Sequence, residues 1–253
     1  MPDFDGDREA VVARAREAGV CTMLLIGGVD ENAGHRRALE AAGQFGFPAS
    51  AGVHPHQARL ADESVYDELV GLAREGRLVA IGEVGLDFHY DHSPRPVQEH
   101  AFRRQVRLAR EVGLPVIVHT RQADQETAAI LEQEGAGEVG GVIHCFTGGA
   151  ELARRALALG FHISFSGIVA FPRAEVIHDV ARTVPADRLL VETDAPFLAP
   201  PPYRGKRNEP AFVVEVARKV ASLRGESLAQ VAQEVAQNFA RLFRLPAASY
   251  TQS

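Results

Sequence analysis

Apolar runs of strand length alternate with amphipathic segments of helical length along almost all of this 253-residue chain. The runs lack the polar alternation of half-exposed strands, as expected where both faces of a parallel sheet are covered. Several of them end on His, Glu or Asp, and a (β/α) barrel gathers its chemistry at the C-terminal ends of many strands. Together these observations predict an α/β fold, a TIM-type (β/α) barrel in a single domain. An open doubly wound sheet is the alternative, but it usually collects its site at one switch point.

The first segment, 5–19, reads as a helix. Asp5 or Gly6 can cap it, Asp7 and Glu9 suit its first turn, and Gly19 stops it. Val11, Val12, Ala15 and Ala18 share a face suited to packing on a sheet. Strand-like runs follow at 21–26, 48–53, 78–81, 115–118, 141–143, 161–165 and 189–191. Between them lie helical patterns at 64–74, 96–112, 122–133, 150–159 and 174–183, and two more at 210–223 and 227–243 close the chain. Run starts roughly 20–37 residues apart match the repeat of βα units. A TIM-type barrel has eight strands, each followed by a helix. Seven are visible here and the chain opens on a helix, so the first barrel strand is expected to be missing from this sequence.

Hydrophobic content of 46% and charged content of 24% suit a globular chain with a sizeable core. No apolar run is long enough to span a bilayer, and residues 1–7 have neither the basic nor the apolar region of a signal peptide. Two cysteines, Cys21 and Cys145, give no disulfide framework; they read as small buried hydrophobes in a reducing cytoplasm. No membrane association or obligate protein partner is implied. The net charge of −6, from 27 basic and 33 acidic residues, excludes a protein that coats nucleic acid through a broad basic face. It does not exclude an enzyme that handles phosphates through a metal ion, because the ion supplies local positive charge.

The chemistry-bearing residues sit after the apolar runs. Glu83 lies in Ile81-Gly-Glu-Val-Gly-Leu-Asp87, where a carboxylate could bridge two ions; the bland alternative is a capping or ion-paired acid. Asp87 reads as structural. His119 and His144 each follow a β-branched run, and neutral imidazole is the commonest ligand for borderline divalent ions. Singly each is an ordinary hydrogen-bonded histidine; on separate strands opening at one end they favour a metal. Arg121, two residues past His119, can hold a phosphate bidentately. Asp194 can ligate an ion or deprotonate a water, or can simply be a turn aspartate. Glu192 reads as its supporting neighbour. The loop Pro200-Pro-Pro-Tyr-Arg-Gly-Lys-Arg-Asn-Glu-Pro210 concentrates Arg204, Lys206 and Arg207, which points to an anionic substrate. His54 reads as a substrate contact and His56 less clearly so, whereas His35, His89, His92, His100, His162 and His178 lack strand-end placement and read as surface or packing residues.

Gly52-Val-His-Pro-His56, Ile81-Gly-Glu-Val-Gly-Leu-Asp87, Pro115-Val-Ile-Val-His-Thr-Arg121, His144-Cys-Phe-Thr-Gly148, Glu192-Thr-Asp-Ala-Pro-Phe-Leu198 and Arg207-Asn-Glu-Pro210, in that order, resemble the TatD family of metal-dependent deoxyribonucleases, amidohydrolase-like TIM barrels. The resemblance runs from Phe4 to about Leu245. It implies metal ligation by Glu83, His119, His144 and Asp194, with Glu83 and Asp194 catalytic, and DNA contacts at or near His54, Arg121, Arg204 and Asn208. It also implies one or two divalent ions (Mg²⁺, Mn²⁺ or Zn²⁺) and 3′-5′ exonuclease action on DNA. Members of the family open with a strand ending in His-x-His, whose imidazoles complete the metal site. Nothing of that kind precedes Met1-Pro-Asp-Phe-Asp-Gly-Asp, so the resemblance implies either a start upstream of Met1, the preferred reading because losing a central strand would expose its neighbours' edges, or loss of the strand, with four of six ligands within this sequence. Hydrolysis of a small amide, ester or lactone by the same chemistry, or a catalytically impaired barrel, are the alternatives.

Overall fold

The computed structural model of the protein describes residues 2–246. In chain order its elements begin α1 (Arg8–Glu17), β1 (Leu25–Gly28), α2 (Gly34–Phe45), β2 (Ala49–Gly52), α3 (Glu63–Arg74), β3 (Ala80–Asp87), α4 (Arg95–Val112) and β4 (Val116–Arg121). They continue α5 (Asp124–Gln133), β5 (Gly141–Ile143), α6 (Ala150–Ala158), β6 (His162–Phe165), α7 (Glu175–Thr183), β7 (Leu189–Val191), α8 (Val213–Arg224) and α9 (Leu228–Leu242). The chain divides into two compact units. One comprises Leu24–His144 and Arg154–Phe161, the other Met1–Met23, Cys145–Ala153 and His162–Ser253. No helix among the described residues is long and apolar enough to cross a membrane.

In the first unit, β1 to β5 pair in parallel in chain order. Three of these strands outrun the sequence-based expectation: β1 starts later and ends at Gly28 rather than at residue 26, and β3 and β4 run further still. β3 continues to Asp87, so Glu83 sits inside a strand rather than at its end, where the register against β4 shifts between Ile81 and Val84. Such an irregularity re-aims a side chain without ending the strand. β4 continues to Arg121, so His119 and Arg121 lie two apart on one side of it. The strands meet closely at Gly85: its φ is +137°, and a Cβ there would run into the His119 carbonyl oxygen. Only glycine suits that position.

Helix α2 is absent from the sequence-based reading. Its N-cap is Ala33, which offers no side-chain acceptor, and the capping is done instead by the Asp30 carboxylate, which accepts from the Asn32 and Gly34 amides at 2.8 and 2.9 Å. Helix α4 buries an apolar face carrying Ala101, Phe102, Val106 and Ala109, and two glutamines, Gln98 and Gln105, are fully buried with it. Seven residues apart, they recur after two turns on the same side of the helix.

In the second unit β6 and β7 pair in parallel, Ile163 against Leu189 and Phe165 against Val191. Buried Asn238 on α9 donates to the Ala186 and Leu189 carbonyls at 2.7 and 2.9 Å, which ties the last helix to the start of β7. Helix α1 buries Val11, Val12 and Ala15, while Ala18 is exposed at its end. Asp7 occupies its N-cap position without a side-chain cap bond, because that carboxylate is taken by Arg207, at 2.6 and 2.8 Å. Both cysteines are free; Cys21 is exposed, contrary to expectation, and Cys145 Sγ lies 3.0 Å from Ser166 Oγ.

Candidate metal centre

The end of β2 carries His54 into place through a backbone clamp. Gln105 Oε1 accepts from the Val53 amide at 2.7 Å, and its Nε2 donates to the Val53 carbonyl at 3.1 Å. The next residue, His54, accepts the His56 amide on Nδ1 at 3.2 Å and turns Nε2 towards Glu83, 3.6 Å away. Glu83 Oε1 also lies 3.0 Å from His119 Nδ1 and 3.5 Å from His144 Nε2. One carboxylate oxygen is thus faced by three imidazoles from three other strand ends. The ligand atoms of His54, Glu83 and His119 all lie within 4.8 Å of one another.

A second carboxylate backs this group. Asp87 Oδ2 lies 2.8 Å from His56 Nε2 and 3.2 Å from His119 Nε2, while Oδ1 accepts from the His89 and Tyr90 amides at 3.0 and 2.9 Å. Asp87, read from the sequence as structural, and His56, read only uncertainly as a substrate contact, both lie against this group. Gln98 accepts from the Asp87 amide and donates to the Asp87 and Ser93 carbonyls, pinning both ends of the turn that follows β3.

These partners decide the charges. Burial pushes the Glu83 carboxyl up, but the facing imidazoles of His144, His54 and His119 outweigh it and hold the group well below the usual carboxylate range. Burial likewise opposes ionisation of Asp87, and the hydrogen bonds from His119, the Tyr90 amide and His56 overcome it, again leaving the group well below that range. His119 would be made less basic by burial, yet hydrogen bonds to Asp87 and Glu83 raise it to about 9. Burial wins at His54, which falls to about 3 despite Glu83 nearby. His119 therefore carries a proton between two carboxylates, and His54 is neutral and free to donate a lone pair. This donor set, one carboxylate oxygen among imidazole nitrogens, fits a borderline divalent ion.

Arg121 lies beside this group, its guanidinium carbon 5.2 Å from the Tyr90 ring centroid. Tyr90 and His92 form further ring contacts with His56, so His92, read from the sequence as an ordinary surface residue, stands at the edge of the centre. The remaining sequence-predicted residues lie in the second unit. Asp194 follows β7 in a turn: its φ is +58°, and its carbonyl accepts from the Phe197 amide at 2.9 Å. Arg204 stacks over Phe171, 4.7 Å from the ring centroid. Arg207, expected to meet a substrate anion, is engaged by Asp7 and by the Asp3 carbonyl at 2.6 Å. Asn208, expected near DNA, has no exposed surface. Its amide donates to the Thr193 and Phe197 carbonyls at 2.8 and 2.5 Å, and its oxygen accepts from the Glu209 amide at 2.9 Å. Through these bonds it shapes the turn after Asp194.

Sequence comparisons agree with this chemistry. A family model described as TatD related DNase matches residues 1–244. An uncharacterized metal-dependent hydrolase of Bacillus subtilis (strain 168), YabD, is 42% identical over 243 residues, covering 96% of this chain and 94% of that protein. The 3′-5′ ssDNA/RNA exonuclease TatD of Pantoea vagans (strain C9-1) is 42% identical over 248 residues, covering 96% and 95%. Among solved structures, YJJV, a TatD homologue of Escherichia coli K12, superposes with a TM-score of 0.90 at 31% identity, over 97% of this chain and 95% of that one. The solved TatD relatives are TIM-type α/β barrels, the fold class expected from the strand and helix pattern. With the family motifs spread over nearly the whole chain and a carboxylate–imidazole centre built from them, this protein belongs to the TatD family of metal-dependent hydrolases.

Proposed function

We propose that this hydrolase is a phosphodiesterase that removes nucleotides from the 3′ end of single-stranded DNA. The observation that carries the reading is the convergence of His54, Glu83 and His119, with ligand atoms within 4.8 Å of one another, beside a guanidinium suited to a phosphate. The Pantoea vagans relative named as a 3′-5′ ssDNA/RNA exonuclease supports the choice of bond and polarity.

Glu83, His119 and His144 would hold the ion or ions, with His54 as a further nitrogen donor. A divalent ion there would supply Lewis acidity towards a phosphate and make water more acidic. Asp87 fixes the orientation of His119 by accepting from its far nitrogen, as carboxylates commonly do behind metal-ligating imidazoles. His119 must give up its proton before it can donate to a metal. Arg121 neutralises the phosphate being cleaved or its neighbour. Asp194 would, by its motif, add a further ligand or accept a proton from water.

The deciding experiment compares the wild type with Glu83→Gln and Asp194→Asn on a 3′-labelled single-stranded oligonucleotide with Mn²⁺ or Mg²⁺, alongside small lactones and amides. We expect metal-dependent release of mononucleotides by the wild type. Both variants should lose activity by a hundredfold or more, on the order of what a single group acting on transition-state charge contributes, with unchanged circular dichroism. Hydrolysis of a lactone or amide with no action on DNA would overturn the choice of bond. Full activity in Glu83→Gln would overturn the centre itself.

A further inference from the structure

Beyond β3 the chain turns through Phe88, His89, Tyr90, Asp91 and His92 before α4 begins, and this turn holds aromatic rings that the hydrolytic chemistry does not use. Tyr90 is 52% exposed. The Tyr90 and His92 rings are parallel to within 1°, with centroids 5.7 Å apart. Each stands nearly perpendicular to the His56 ring, at 5.6 and 4.6 Å. The His56 ring in turn lies 4.4 Å from that of His54, so the parallel pair is one imidazole removed from the Glu83 group. Arg121 sits 5.2 Å from the Tyr90 centroid and reaches the same surface from β4.

The turn is held from several sides. Asp87 accepts the amides of His89 and Tyr90, Ser93 donates its hydroxyl to the His56 carbonyl at 3.1 Å, and Gln98 bonds to Asp87 and Ser93 at its two ends. A large aromatic ring fixed this firmly while half-exposed is not placed there for the core. Exposed flat rings with a guanidinium beside them match the two needs of single-stranded nucleic acid, a π face for a base and a cation for its phosphate.

We infer that Tyr90 and His92 form a stacking platform for the nucleobase adjoining the scissile phosphate, with Arg121 holding that nucleotide's phosphate. The inference rests on the phosphodiesterase reading above. Stacking accepts every base, so the platform selects for the presence of a base and not for its identity. It also favours single strands, because a paired base is already stacked on its neighbours.

The test compares the wild type, Tyr90→Ala and Tyr90→Trp on two oligonucleotides, one normal and one whose two 3′-terminal residues lack bases. We expect the wild type to prefer the normal strand about tenfold or more in kcat/KM, mostly through KM, in line with the usual worth of a base–aromatic stack. Tyr90→Ala should cleave both at the rate of the abasic strand, and Tyr90→Trp should restore the preference. A second arm reads binding without turnover: with a chelator present, 2-aminopurine at the 3′ end should lose fluorescence on binding the wild type and Tyr90→Trp but not Tyr90→Ala. Equal cleavage of both strands by the wild type, or equal quenching by the wild type and Tyr90→Ala, overturns the platform while leaving the nuclease reading intact. Quenching that depends on Tyr90 without any hydrolysis keeps the platform and overturns the nuclease reading.

Discussion

Glu83 and His119 divide the work of the centre in a way that pH exposes. Held between Glu83 and Asp87, His119 titrates near 9 rather than near its ordinary 6.5. A metal ion can take its nitrogen only by displacing that proton, so metal affinity should rise with pH. Below about 9 one proton is released per ion bound, and the affinity gains about tenfold per pH unit; above it the dependence should flatten. Calorimetric Mn²⁺ titrations at pH 6, 7 and 8, in buffers of different ionisation enthalpy, measure both the affinity and the proton count. In the metal-free protein the sign reverses. A raised folded-state pKa contributes stability that is complete below about 6.5 and is lost as pH climbs through about 9. Urea melts without metal should therefore show falling stability across that window, and a flat profile would mean that His119 is not gripped by both carboxylates.

Helix α4 is the element that sets the geometry, through two side chains that carry no chemistry. Gln105 occupies both backbone groups of Val53, and Gln98 occupies those of Asp87. Replacing Gln105 with Met keeps the volume but orphans a buried amide and a buried carbonyl, at about 1–3 kcal/mol for each. We expect a lower midpoint in thermal or urea unfolding and, because His54 is the next residue, weaker metal binding; an unchanged midpoint would sink this account of the clamp. The glutamines show where the sequence was readable and where it was not. All seven strands and most helices were legible from apolar runs and helical periodicity, and Glu83, His119 and His144 from their positions in those runs. Helix α2 was not, because its capping acceptor, Asp30, lies outside the usual N-cap place. Asp87 and His92 were not, and His56 only uncertainly, because what unites them is a turn after β3 and a strand running six residues further than its apolar run suggests. A buried glutamine on an apolar helix face was a signal in plain view: buried amides need partners, and unpaired strand-end backbone is what they find.

At the scale of the whole molecule the charge is unfavourable for a polyanion, −6 at neutral pH. Arg207, a cation the sequence offers for a substrate, is engaged internally by Asp7, and Arg14 is likewise paired with Glu209. Binding of single-stranded DNA should therefore respond to few phosphates. The logarithm of the binding constant should fall with the logarithm of salt concentration at a slope of about −0.7 per phosphate contacted, so a slope shallower than about −2 is expected. Fluorescence anisotropy across a potassium chloride series measures it, and a steep slope would reveal a basic track that the formal charge conceals. The same internal ion pairs have a consequence in time. Arg207 grips Asp3 and Asp7, and Glu209 grips Arg14, across 195 to 204 residues of intervening chain. Closing loops of that length carries an entropic cost that grows, slowly, with the number of intervening residues. During synthesis residues 3–14 must wait for some 195 to 204 further residues before these partners exist. The turn holding Asp194, tied to Asn208 and so to Glu209, thus takes its final setting late, after the imidazoles that face Glu83 have been synthesised.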